Sequence, residues 1–296
     1  MTMNRRPAAR GLVLVALMVL LFAAMDTVIH WLGSAVPLLL ALTIRYLVQA
    51  LVMAVWIGLA RTQSFRSRHP WFQLLRGLLL LATSVASFIG VQRMPVPEYT
   101  AIFLLTPVLV TLLSGALLGE PVSPARWLLV LGAFAGALIV IRPGSGLFGA
   151  SVAYPLAAAC AYAAFQILTR RLAAVENPRA THFWTAAVAS ALLLPALLAR
   201  HAPGALLAAW LGYGGWMLLI GLFGTVGHLI LILALRLAPP ATLMPFVYAQ
   251  IAAAALLGWL VFSTLPDAWG WVGMAVIAAC GASSAWLNLR APAAAA

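Results

Sequence analysis

Apolar stretches of about 20 residues recur along this chain with little between them, and a stretch of that length is what crosses a bilayer as a helix. Cutting at charges, prolines and glycines gives ten: 11–32, 36–60, 71–92, 97–118, 125–141, 150–170, 181–199, 213–236, 240–262 and 268–288. Barrel strands would show short alternating segments instead. A soluble alternative fails on charge. Only 7% of the 296 residues are charged and 65% are hydrophobic, whereas soluble domains run about 25% charged. The expected fold is an all-α integral membrane protein.

The charges that exist are informative. All 17 cations are arginine, against 5 acids. The arginines fall in the gaps between runs, a pattern that sets membrane orientation and not nucleic-acid binding. With the N-terminus in the cytoplasm, 13 arginines fall inside and Arg93, Arg142 and Arg200 fall outside, while Arg45 lies within a span. Both termini are then cytoplasmic. Cys160 and Cys280 lie in apolar runs and build neither a disulfide framework nor a metal site. No metal and no cofactor is expected.

The runs divide five and five. The expected organisation is a cytoplasmic arm at 1–10, a first five-helix repeat at 11–142, a connecting loop at 143–149, a second repeat at 150–290 and a tail at 291–296. A shift of 143 pairs Arg93 with Arg236, Pro97 with Pro240 and Gly115 with Gly258. Because five is odd, the second unit enters the membrane from the opposite side. Inverted repeats of this kind build secondary transporters, with the site near mid-membrane between the halves. The layout predicts a central cavity lined by spans 1, 3, 4, 6, 8 and 9, with spans 5 and 10 peripheral.

Three segments carry a family resemblance. They are Pro37 with Arg45 in span 2, "TPVLVTLLSGALLGEPVSPARW" at 106–127 and "GLFGTVGHLILILALRLAPPATL" at 221–243. In that order they resemble the drug/metabolite transporter superfamily, of the ten-helix EamA type, and within it the bacterial aromatic amino-acid exporters. The second half departs from the pattern, with Gln250 where the first has Pro107 and Ser263 where it has Glu120. The resemblance implies export of hydrophobic or aromatic amino acids, or similar small metabolites, across a bacterial inner membrane by alternating access.

Ionisable groups inside a membrane are costly, about 2.5–3.5 kcal/mol each on insertion scales, and mark sites. Asp26 and Arg45 form either a structural ion pair or a set in which Arg45 clamps a carboxylate. The expected substrate-binding residues are Phe88, Gln92, Tyr99, Phe103, Trp184, His228 and Tyr248, since a pocket for an apolar cargo needs aromatic walls and a few polar groups. Pro107 and Pro245 should interrupt spans 4 and 9, the corresponding helices of the two halves. The expected partners are a small-molecule substrate and membrane lipid. Hydrolase, phosphate-loop and dinucleotide motifs are absent. The rival classes are an intramembrane enzyme acting on a lipid-linked substrate and a non-transporting helical assembly partner.

Overall fold

A computed structural model of the chain describes residues 5–60, 64–110, 113, 124–142, 149–172, 175–237 and 247–290. These residues form ten α-helices: α1 (Arg5–Leu32), α2 (Leu38–Leu59), α3 (Pro70–Arg93), α4 (Val96–Phe103), α5 (Pro124–Ile141), α6 (Ala153–Leu172), α7 (Pro178–Arg200), α8 (Pro203–Leu237), α9 (Ala249–Phe262) and α10 (Ala268–Arg290). Six apolar stretches are long enough to cross a membrane: Val13–Ala35, Gly149–Thr169 and four that lie in α2, α3, α7 and α8. Shorter apolar helices lie at Val96–Val110, Trp127–Ile141, Ala249–Phe262 and Ala268–Ser283. Large apolar side chains stand fully outward, among them Leu59, Trp71, Leu128 and Leu211. A surface of that kind is at rest against lipid tails and not against water.

Local sequence explains the helix ends. Proline begins α3, α5, α7 and α8, where its missing N–H would be unpaired anyway. Asn177 caps α7 by accepting from the Arg179 amide at 2.9 Å. Helix α8 starts about ten residues before the expected span, because Gly204 and Gly212, at which the apolar runs are cut, do not interrupt the helix. Its 35 residues correspond to roughly 52 Å, more than the hydrocarbon core requires.

The two halves are related by exchange. Helix α1 packs on α8 as α6 packs on α3, α2 packs on α8 as α7 packs on α3, and α1 meets α9 as α6 meets α4. The pairs α2–α7, α4–α9 and α5–α10 map onto themselves. That pattern is a pseudo-two-fold between inverted five-helix units. It leaves α5 and α10 packed on each other, away from the centre. There Gly136 and Gly273 abut: a Cβ on Gly273 would lie 2.7 Å from the Gly136 carbonyl oxygen.

Helix α4 stops at Leu104–Leu105, and the chain turns helical again at Thr106. Pro107 is the cause. It has no N–H to offer the Phe103 carbonyl, and Thr106 Oγ1 donates to that carbonyl instead, at 2.6 Å. The second half breaks at Tyr248, which the repeat shift of 143 pairs with Leu105. Pro245 lies outside the described residues, as do Glu120 and most of the 143–149 connection. Thr106→Val should cost about 1–3 kcal/mol, the penalty of an orphaned buried acceptor. A thermal melt in detergent that matches wild type would show that the Phe103 carbonyl does not depend on this hydroxyl.

Candidate functional site

The break in α4 opens onto a cavity at the centre of the bundle. Its walls come from α1, α3, the 99–107 stretch, α6, α8 and Val247–Gln250 of the second half, with Arg45 reaching in from α2. These are the six spans that the repeat layout assigns to it. The cavity encloses about 90 Å³, below the roughly 300–1,000 Å³ of sites holding drug-sized ligands. A larger cargo requires the halves to part.

Arg45 is its most consequential residue. It is only 4% exposed, and its Nη1 donates to Ser84 Oγ on α3. Tyr46 donates its hydroxyl proton to the Leu80 carbonyl at 3.0 Å, and its oxygen lies 2.7 Å from Ser84 Oγ. The protons therefore run one way, from Arg45 to Ser84 to Tyr46 to the Leu80 carbonyl. The guanidinium carbon also lies 5.1 Å from the Tyr46 ring centroid, a cation–π distance. Arg45 Nε is buried with no hydrogen-bond partner.

Asp26, 6% exposed, faces the same cavity from α1. Among the described residues the one ion pair within 4 Å is Arg142–Asp267, at 2.7 Å, joining the end of α5 to the start of α10. Asp26 and Arg45 thus share the cavity without direct contact. Neutral Ser84 holds the guanidinium, which leaves its charge available.

Room for Arg45 is made by α8. A Cβ on Gly224 would lie 2.9 Å from Arg45 Nε, one on Gly221 2.9 Å from Val48 Cβ, and one on Gly227 2.5 Å from Phe22 Cε1. The three glycines let α8 approach α2 and α1 closely. Gly224→Ala should displace the guanidinium from the cavity while the other two glycines still seat the helix. The expected result is impaired transport with a near-normal melting temperature. Wild-type transport kinetics in that variant would show that the fit at Gly224 is immaterial.

The apolar wall is an aromatic ladder. Tyr99 stacks on Phe103 at 6.0 Å between centroids, Phe103 meets Tyr162 at 5.5 Å, and Tyr162 stacks on Phe165 at 5.7 Å. Tyr99 is held by a 2.6 Å hydrogen bond from its hydroxyl to Ser87 Oγ. His228 Nδ1 donates to the Gly224 carbonyl at 2.9 Å, so its Nε2 is left as an acceptor.

The expected site residues separate into two groups. Phe88, Tyr99, Phe103, His228, Asp26, Arg45 and Pro107 all line the cavity. Gln92, Trp184 and Tyr248 do not, and each has a local reason. Gln92 Nε2 donates to the Gly33 carbonyl. Trp184 Nε1 donates to the Phe65 carbonyl at 2.7 Å, which ties α7 to the 64–69 segment. Tyr248 is buried against Gly281 of α10. His30, one turn beyond Asp26, donates from Nδ1 to the Val91 carbonyl at 2.5 Å and has no place in the cavity. Residues that sequence reasoning passed over include Phe22 and Ser84. The only trace of Ser84 is the small polar run "ATSVAS" inside an apolar span.

Two inverted helical units around a central pocket that holds a guanidinium and a carboxylate define a carrier of small molecules. The comparisons agree. Residues 9–142 and again 147–282 match the EamA-like transporter family, and the chain belongs to it. It is similar to the riboflavin transporter of Rhizobium johnstonii (31% identity, 75% of this chain and 71% of that one). It is also similar to the S-adenosylmethionine uptake transporter of Rickettsia felis (22%, 83% and 82%). A third relative is the pseudopaline exporter of Pseudomonas aeruginosa (25%, 93% and 95%). The protein is accordingly a multi-pass membrane transporter of small molecules. These relatives are not named for aromatic amino acids, and their names include both uptake and export.

Proposed function

We propose that this transporter exports hydrophobic or aromatic amino acids, or similar carboxylate-bearing metabolites, across a bacterial inner membrane by alternating access. The observation that carries the reading is Arg45, a buried guanidinium held by neutral groups and facing a cavity whose opposite wall is stacked aromatic rings. A guanidinium binds a carboxylate with charge-assisted hydrogen bonds, and the rings accept an apolar or aromatic side chain. Asp26 supplies a partner for a substrate amine.

A second reading, riboflavin as cargo, is supported by the 31% identity to a named riboflavin transporter and by the same aromatic wall. Counterflow of labelled tryptophan, leucine and riboflavin into liposomes holding the pure protein separates the two. Saturable counterflow of the amino acids supports the first reading. Counterflow of riboflavin alone replaces it with the second. Chemical conversion of a lipid-linked substrate, with no flux, would instead support an intramembrane enzyme.

The arginine count, 13 of 17 on one side, supports an orientation with both termini in the cytoplasm. Cysteines introduced at residues 64–69 should then react with an impermeant maleimide only in inside-out vesicles. Reaction in right-side-out vesicles would invert the assignment.

A further inference from the structure

The two halves contribute different chemistry to the cavity. Its charged groups stand on the first repeat, Asp26 on α1 and Arg45 on α2. The second repeat contributes two carboxamides, Gln166 on α6 and Gln250 on α9, and the His228 imidazole on α8. Among the described residues it adds no carboxylate and no guanidinium to the lining.

The hydroxyls of the lining are committed within the protein. Thr83 Oγ1 donates to the Leu79 carbonyl at 2.8 Å, Thr106 Oγ1 to the Phe103 carbonyl at 2.6 Å and the Tyr99 hydroxyl to Ser87 Oγ at 2.6 Å. Ser84 stands between Arg45 and Tyr46. The two carboxamides differ. Among the described residues neither has a hydrogen-bond partner, and neither has its polar atoms sealed off from the cavity. Gln250 as a whole is nevertheless only 3% exposed. An unpaired amide at the centre of a lipid-embedded bundle is unfavourable, and a cargo that pairs with it relieves that cost.

Both amides come from helices that carry the aromatic ladder or pack against it. Gln166 is one helical turn beyond Tyr162, on the same face of α6. Gln250 lies in the first turn of α9, two residues past the break at Tyr248, and α9 packs on α4, which carries Tyr99 and Phe103. The repeat shift of 143 pairs Gln250 with Pro107, which lines the cavity from the first half. Each break therefore delivers one side chain to the cavity, and the second break delivers one that hydrogen-bonds.

We propose that Gln166 and Gln250 determine specificity by reading the N–H at the edge of a nitrogen heterocycle that stacks on the ladder. This deepens the transport reading and rests on it. A carboxamide both accepts and donates and carries no charge, so it suits a neutral ring edge and not the carboxylate or amine that Arg45 and Asp26 face. An analogue that leaves such buried groups unpaired is rejected. In an amino-acid cargo the N–H belongs to an indole. In a flavin it belongs to an imide, whose carbonyls also accept from the amide nitrogens.

The test is counterflow into liposomes holding the full chain, with two matched pairs of cargo. One pair is L-tryptophan and L-3-benzothienylalanine, in which sulfur replaces the indole N–H at nearly the same size. The other is riboflavin and 3-methylriboflavin, whose imide N–H is blocked. The wild type should favour the N–H member of whichever pair it carries by roughly 2- to 12-fold, the worth of one neutral hydrogen bond. The double variant Gln166→Leu, Gln250→Leu should abolish that preference by slowing the N–H member alone. At least one single variant should lower it, which decides the matter if the double variant does not fold. A ratio of unity in the wild type overturns the proposal, as does equal slowing of both members in every variant. A wild-type ratio in all variants also overturns it and assigns the N–H to His228 Nε2. These outcomes leave transport standing. No flux of either pair overturns the transport reading and the specificity assignment with it.

Discussion

Arg45→Gln should remove most transport of any carboxylate-bearing cargo. The guanidinium is buried, Ser84 holds it in place and no acid touches it. Losing a hydrogen bond to a charged group costs about 1.5–3 kcal/mol, roughly 10- to 150-fold in affinity. Glutamine keeps a donor for Ser84, so folding should suffer less than binding does. The same geometry bears on Asp26. An intimate ion pair would make the loss of one partner much worse than the loss of both. The two buried charges line one cavity without contact, so Asp26→Asn and Arg45→Gln should fall short of additive in stability by less than a contact pair would. Strong rescue in the double variant would show that the two charges pair in the membrane. Flux in Arg45→Gln within a factor of two of wild type would remove the residue from the binding site.

The second large effect belongs to the ladder. Tyr162 lies at its middle, against Phe103 on one side and Phe165 on the other, with its ring edge-on to His228 at 6.3 Å. An aromatic pair of this kind contributes about 0.5–1.5 kcal/mol beyond area burial. A cargo ring that stacks on Tyr162 gains that much, so Tyr162→Ala should weaken aromatic cargo roughly 2- to 12-fold. Aliphatic cargo should be affected less. Competition between tryptophan and leucine measures the ratio. An unchanged ratio in Tyr162→Ala and Phe103→Ala would assign the ladder to packing alone. Trp184→Ala and Tyr248→Ala serve as contrasts. Both residues lie off the cavity, and their loss should lower stability without altering selectivity.

The contrast shows where the sequence is legible. Run length and arginine placement identify ten helices, because the bilayer imposes both. The odd number per half implies inversion, and inversion puts α1, α3, α4, α6, α8 and α9 around the centre. The facing of single residues is a different matter. These helices are apolar on the lipid side and on the packed side alike, so no amphipathic stripe marks the inner face. Trp184 and Tyr99 both read as aromatics in a span. Only three-dimensional packing separates the one bonded to the Phe65 carbonyl from the one facing the cavity. Arg76 shows the reverse error. Close to a span end, it reads as an interfacial charge, yet Gln73 one turn earlier and three threonines on α6 and α7 bury it. Pro107 was legible as a break, but the Thr106 hydroxyl that takes the freed carbonyl was not, since threonine is common beside proline-broken and unbroken turns alike.

The central claim is that the cavity between the inverted halves is the transport path, and it can be measured without knowing the cargo. Ser87 lines the cavity and accepts from the Tyr99 hydroxyl. In a chain with Cys160 and Cys280 replaced, a single cysteine at position 87 should react with a membrane-impermeant maleimide in right-side-out and in inside-out vesicles alike, because alternating access exposes the site to each side in turn. Reaction from one side only, under all cargo conditions, would contradict the account.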